Sequence, residues 1–438
     1  MFSALTRGCV RVFDRYLPDP LILVLIITLI VFAAGMIFQG HGPVAMLGFW
    51  QDGFWNLLSF AMQMALMLVT GFTVAKTPLF MTLVSRIATV ARTPIRAVIM
   101  VAFVSLIVTW FNWGIGLVVG AILAREMARR VEGVDYRLLV ASAYAGFIIW
   151  HAGLSAAAPL VVATPGHFLE EQIGIISTGE TIFSPLNLII CAVILVLLPV
   201  VCGFMMRGLK NPVTVKAEQL ADESATATAA DEETRPAERL EQSKWLAWIS
   251  AALGFAAVIT YAVGGGGLNL NIVIFVLIFL GLALHGSPKR YLETLDEAVR
   301  GVAGVLIQFP FYAGIMGMMK ASGLAALMAS GFVSISSAHT LPLVSFLSAG
   351  FINIFIPSGG GQWAVQGPIL MEAAQSLNAD IGDVITGFAW GDAWTNMIQP
   401  FWALPALAIA GLKARDIMGF CVVIMLVTGV AIGGLLLI

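Results

Sequence analysis

The sequence predicts an all-α polytopic membrane protein made of two inverted-topology repeats, each with a re-entrant hairpin and a broken transmembrane helix. Three observations predict it. The 438-residue chain is 59% hydrophobic and 11% charged, whereas soluble domains carry about 25% charged residues. Several apolar runs approach the roughly 20 residues needed to cross a bilayer, among them 21–38 and 419–438. Glycine- and proline-rich stretches also interrupt apolar segments where helix is required, as in "IFIPSGGGQW" (354–363).

Composition narrows the function classes. A net charge of -2 without a basic patch gives no sign of a nucleic-acid partner. Cys9, Cys191, Cys202 and Cys421 form no CxxC pair, so there is neither a disulfide framework nor a zinc signature. No HExxH, GxSxG or paired-carboxylate motif appears, which disfavours an embedded enzyme, and no cofactor is expected. The N-terminal "MFSALTRGCVRVFDRYLPDP" carries arginines, but the apolar run that follows is too long for a signal peptide. It reads as an amphipathic lead-in to the first span.

Lys and Arg set the order of elements, because they are retained on the cytoplasmic side. Arg7, Arg11 and Arg15 place the N-terminus inside, and the loop 39–53, without Lys or Arg, outside. A second span (54–75) returns to Lys76, Arg86, Arg92 and Arg96. Residues 97–124 are apolar, yet the next loop is again basic, with Arg125, Arg129, Arg130 and Arg137. One crossing cannot have both ends on the same side, so 97–124 reads as a re-entrant hairpin with "TWFNWGIG" near its tip. The block 138–165 then leads outside, and a span at 185–206 returns, closing a first repeat over 1–206. Residues 207–244 are charged, Ala/Thr/Glu-rich and poor in aromatics, and read as a cytoplasmic linker.

The second half, 245–438, holds an extra span and the second repeat. Spans at 245–263, 270–284 and 301–320 alternate direction. Residues 342–377 have no Lys or Arg at either end and read as a hairpin entering from the outer face. The block 382–411 returns to Lys413 and Arg415, and the last span leaves the C-terminus outside. Aligning 141–163 with 387–409 without gaps sets Ala143 against Ala389, Tyr144 against Trp390 and Pro159 against Pro405. Such repeats of opposite sense are characteristic of secondary transporters.

That layout explains why glycines interrupt a greasy segment. Unpaired backbone groups are not tolerated in lipid, so a break at bilayer depth must line a cavity or face a ligand. Helix N-termini attract anions and C-termini attract cations. The hairpin tips "FNWGIG" and "PSGGGQW", and the breaks "HAGLSAAAP" and "NMIQPFWALP", are therefore expected to converge near the midplane. The plainer reading of the glycines is close helix packing.

"YLPDP" (16–20), "DGFWNLLSFAMQMAL" (52–66), "NWGIGLVVGA" (112–121), "QFPFYAGI" (308–315), "PSGGGQW" (357–363), "QGP" (366–368) and "MIQPFWALPALAIAGL" (397–412) together resemble the short-chain fatty acid transporter family of the ion transporter superfamily. The resemblance covers essentially the whole chain. It implies a multi-pass carrier in the bacterial inner membrane that takes up acetoacetate and butyrate-type acids, on a scaffold often used for homodimerisation.

For such a substrate the expected binding groups are Asn112, Trp113, Gly114 and Gly116 in the first hairpin, with Ser155 in the first break. In the second hairpin they are Asn353, Ser358, Gly359, Gly360, Gly361, Gln362 and Trp363, with Asn396 and Gln399 in the second break. The candidate core has no Lys or Arg, and its sparse polarity suits one carboxylate rather than two or three. A buried anion without a cation is expensive, so a co-transported proton or sodium ion is expected. Asp392 lies nine residues past Asp383, about 13 Å along a helix, and His151 fourteen past Arg137, about 21 Å. Both are coupling candidates, because ionisable groups at bilayer depth are functional by default. The plainer reading makes His151 a neutral core residue and Asp392 a protonated group or a cap. If sodium is the coupling ion, its oxygens would come from near Asn112, Asn353 and Ser358. A sodium-coupled carrier of another small carboxylate and a passive channel for short-chain acids remain the alternatives.

Overall fold

The computed structural model describes residues 20–209, 211–215, 235–300, 302–354 and 356–438. The basic lead-in before Pro20 and the linker centre, 216–234, lie outside the described residues. The described chain is helical, with no strand.

Helix α1 (Pro20–Gln39) is apolar along its length and mostly faces outward. A short helix, α2 (Pro43–Gly53), follows where the sequence suggested only a loop. Pro43 starts it, since a first-turn proline lacks only an N–H that would be unpaired anyway. Met46 anchors it by filling the space above Gly35. Then come α3 (Leu58–Ala75) and α4 (Pro78–Ala88). Helices α5 (Pro94–Phe111) and α6 (Trp113–Arg130) form the first hairpin, with Asn112 alone between them.

The first broken helix is α7 (Tyr136–Ala145), a 3-10 segment (Gly146–Ala152), an irregular stretch, and α8 (Ala158–Val162). After α9 (Glu170–Ile173) the chain crosses again in α10 (Pro185–Gly208). Beyond the linker come α11 (Pro236–Glu241), α12 (Lys244–Val263), α13 (Leu270–His285) and α14 (Pro288–Val299).

Helix α15 (Ala303–Ser322) continues into α16 (Leu324–Ile335) through a 78° bend. Gly323 makes the bend, at φ +81, a region open to glycine and strained for most other residues. Residues 321–341 carry no Lys or Arg, and the apolar run stays helical while it changes direction. The second hairpin comprises α17 (Leu341–Ile352) and α18 (Gly359–Leu377). The second broken helix is α19 (Ile381–Thr395), a 3-10 turn (Asn396–Ile398) and α20 (Pro400–Ala410), followed by α21 (Ala414–Leu435).

Among the described residues six helices are long and apolar enough to cross a membrane, and the bent pair α15–α16 adds a seventh candidate. Contacts mark the two ends of the bundle. At one end Lys76 pairs with Glu297 at 3.0 Å and Arg130 reaches Ser85. Asp135, fully buried there, caps α7 and also accepts the Val213 N–H, while the Tyr136 hydroxyl donates to the Ala410 carbonyl. The open end of α5–α6 belongs to this end. The open end of α17–α18 lies by the 163–184 connection, where Gln375 donates to the Gln172 carbonyl.

Candidate functional site

The first hairpin tip is held from inside. Asn112 Oδ1 accepts the Ile115 N–H at 3.0 Å, capping α6, and Ser155 Oγ accepts the Trp113 N–H at 2.9 Å. The Leu154 N–H donates to the Trp110 carbonyl at 2.7 Å, so the tip and the first break are stitched together. Two N–H groups expected to face an anion are thus already taken by this chain's own oxygens. Gly114 leaves room for Asn112 Oδ1, and Gly116 lies against the Thr109 backbone, 2.7 Å from where its Cβ would stand. Beside the tip, a cavity of about 490 Å³ has almost wholly apolar walls, including Phe111, Leu154, Leu268 and Ile272, with Asn112 at its edge.

The second tip is built differently. Ser358 Oγ caps α18 by accepting the Gly361 N–H at 3.3 Å. Its three glycines each meet an aromatic ring from a different element. A Cβ on Gly359 would stand 2.6 Å from Trp150, on Gly360 2.8 Å from Phe60, and on Gly361 2.5 Å from Tyr312. Side chains are excluded because rings close over the backbone. Trp363, fully buried, packs on Phe388 with centroids 4.9 Å apart. Gln362 Nε2 donates to the Ala349 carbonyl and to Gln366 Oε1, and Gln366 passes the chain of bonds to Ser348.

Next to this tip the polar residues of the second break gather. Asn353 Nδ2 lies within 3.0 Å of three acceptors: the Asp392 carbonyl, Thr395 Oγ1 and Asn396 Oδ1. Gln399 Nε2 donates to the Asn353 carbonyl. Across the layer, His151 Nδ1 lies 2.8 Å from Asp392 Oδ2, with both side chains fully buried. The Ala158 N–H donates to His151 Nε2 at 3.0 Å. A nitrogen that accepts carries no proton, so His151 is the neutral Nδ1–H form and donates to Asp392.

The structure therefore sorts the expected site residues into two groups. His151, Asn353, Asp392, Asn396 and Gln399 share one layer beside Ser358, Gly359, Gly360, Gly361 and Gln362. Asn112, Trp113 and Ser155 form a second group, joined to the first through rings: Trp113 meets Trp150 at 6.4 Å, and Trp150 stacks on His151 at 4.2 Å. Two residues outside the expected set fasten the breaks. The Tyr144 hydroxyl reaches the Asn396 carbonyl at 2.5 Å and the Gln399 carbonyl at 3.1 Å. Asn187 donates to the Ala152 carbonyl and accepts from Trp390 Nε1 at 2.8 Å. Tyr144 stands opposite Trp390 in the repeat alignment, which was the signal available for it; no sequence signal marks Asn187.

Buried hairpin tips facing interrupted helices, in a bundle of apolar spans, define a polytopic membrane carrier. The backbone arrangement matches two solved structures. The YdaH transporter of Alcanivorax borkumensis superposes with a TM-score of 0.58 at 16% identity, covering 95% of this chain and 98% of that one. MtrF of Neisseria gonorrhoeae, described within a class of antimetabolite efflux pumps, gives 0.54 at 14% identity, covering 98% and 97%. At such identities the likeness is one of fold. The chain itself belongs to the short-chain fatty acid transporter family, whose model matches residues 1–438. A relative from Escherichia coli K12 is 43% identical over 431 residues, and one from Haemophilus influenzae Rd 41% over 436, each alignment covering 98% of both chains. Both carry the description "putative short-chain fatty acid transporter". Family and relatives are transporters, not enzymes.

Proposed function

We propose that this protein is a secondary active carrier that imports short-chain monocarboxylates of the acetoacetate and butyrate type across the bacterial inner membrane. Movement of the cargo is coupled to a cation and proceeds by alternating access of two inverted repeats. The observation that carries this reading is the first hairpin tip, where Asn112 borders a cavity of about 490 Å³ whose walls are almost wholly apolar. Such a site suits a single carboxylate with a short tail. Residues 138–206 and 321–412 contain no Lys or Arg, so nothing in either broken element would neutralise a second or third carboxylate. The description of MtrF supports a second reading, export. In both readings the N-terminus is cytoplasmic and the C-terminus periplasmic, and a second copy of the chain is a candidate partner.

The test is uptake of labelled butyrate, acetoacetate and citrate into proteoliposomes, with pH and sodium gradients imposed separately and in both directions. Gradient-driven, saturable accumulation of the monocarboxylates but not of citrate supports the reading. Flux that never exceeds equilibration means a channel, and accumulation only under an outward-directed ion gradient means export.

A further inference from the structure

The layer around the second hairpin tip contains four fully buried oxygens with no hydrogen-bond partner: Asp392 Oδ1, Asn353 Oδ1, Gln399 Oε1 and, on the next turn of the hairpin arm, Gln362 Oε1. The first three belong to residues linked through Asn353. Asn353 Nδ2 contacts the Asp392 carbonyl, and Gln399 Nε2 contacts the Asn353 carbonyl. Backbone carbonyls only accept, so these bonds fix which end of each amide is nitrogen, and these three orphan atoms are acceptors. His151 adds one neutral N–H to Asp392 and brings no charge. Among the described residues Asp392 has no ion pair with Lys or Arg.

We propose that Asp392, Asn353 and Gln399 hold a monovalent metal cation of sodium's size, bound through these three oxygens. Carboxylate, carbonyl and amide oxygens are the ligands that hard cations prefer. One carboxylate matches one positive charge, whereas divalent sites recruit several. No group of three or more His, Cys, Asp or Glu that could hold a metal is found among the described residues, which leaves transition metals without their usual ligands. A proton on Asp392 would satisfy one orphan oxygen and, by donating, a second. A metal ion satisfies all three and neutralises the carboxylate. A water molecule could donate to two of them and would leave the charge uncompensated.

The site differs from the one the sequence suggested for sodium. Asn353 belongs to both, but the oxygens of Asn112 and Ser358 are already used as helix caps. The cation's role in driving transport rests on the carrier reading above; its binding does not. Because α17, α19 and the second break supply the ligands together, the ion would order the hairpin against the broken helix.

The test needs no substrate. The purified full-length chain in nanodiscs is heated in NaCl, KCl or choline chloride at one ionic strength and pH, with tryptophan fluorescence as readout. Sodium should raise the midpoint saturably, as a ligand of the folded state does, and choline should not. Asp392→Asn and Gln399→Leu should each raise the half-saturating sodium concentration at least tenfold. Equal midpoints in sodium and choline for the wild-type protein overturn the proposal even if neither variant folds. Stabilisation by acid pH alone, with no sodium response, assigns the site to a proton and also overturns it. Sodium binding in a protein whose vesicles take up no short-chain acid supports the cation site and refutes the substrate assignment.

Discussion

His151 and Asp392, 241 positions apart in the chain, are in direct contact through a 2.8 Å bond with neither side chain exposed. The contact joins the 3-10 segment after α7 to α19, so one bond couples the two broken helices. The second ring nitrogen is occupied by the Ala158 N–H, so protonating His151 would break a buried backbone bond. The imidazole is thus suited to hold Asp392 in place as an anion.

Replacing His151 with Phe removes the only side-chain donor bonded to Asp392 among the described residues and strands a buried carboxylate. Losing a buried hydrogen bond to a charged group costs about 1.5–3 kcal/mol. We expect a clear fall in thermal midpoint for His151→Phe, and a smaller one for His151→Gln, which keeps an N–H. Equal midpoints for His151→Phe and wild type would show that the bond does not hold the layer together.

Gly360→Leu should abolish transport while leaving membrane insertion intact. Its Cβ alone would stand 2.8 Å from Phe60 Cζ and 3.3 Å from Phe309 Cζ, and overpacking by larger groups costs about 1–3 kcal/mol. Wild-type uptake by a well-expressed Gly360→Leu protein would exclude the second tip from the transport path.

Much of this architecture was legible in the sequence. Basic loops at both ends of 97–124, and the lack of Lys or Arg at both ends of 342–377, pointed to two hairpins, and the helix pairs α5–α6 and α17–α18 occupy those positions. Proline and glycine gave the breaks. The helix at 43–53 and the bend at Gly323 were not legible, because a short helix at the surface and a turned helix share their composition with a loop. Distance from the charged ends set His151 and Asp392 well inside their helical blocks, and both are buried. Their contact did not, since depth along a helix says nothing about which neighbour a side chain faces. The capping roles of Asn112 and Ser358 were hidden for a similar reason: the same oxygen can serve a ligand or its own helix.

Topology can be read with impermeant thiol reagents. Ser376 and Glu132 are exposed and lie next to Asn378 and Gly133, whose left-handed backbones make them poor sites for substitution. In a Cys9→Ser background, where the described cysteines are buried, Ser376→Cys should label only from the periplasm and Glu132→Cys only from the cytoplasm. Labelling of both from one side would refute hairpins of opposite sense.

Tyr144→Phe removes a side-chain hydroxyl that bridges the Asn396 and Gln399 carbonyls. Leaving a buried polar group unpaired costs about 1–3 kcal/mol. The expected result is lower stability and weaker apparent cargo affinity, because the second break loses its tether to α7. An unchanged KM with only a lowered midpoint would make Tyr144 a purely structural support.

The glycine tip that closes against Trp150, Phe60 and Tyr312 also limits how such a carrier can diversify. On the tip side there is no side chain to trim and no space to add one, so a mutation there has nowhere to go but loss. The rings opposite are large and can be shortened one at a time. Any lineage or laboratory selection that widens the range of cargo should therefore record its changes at Trp150, Phe60 and Tyr312 while the three glycines stay as they are.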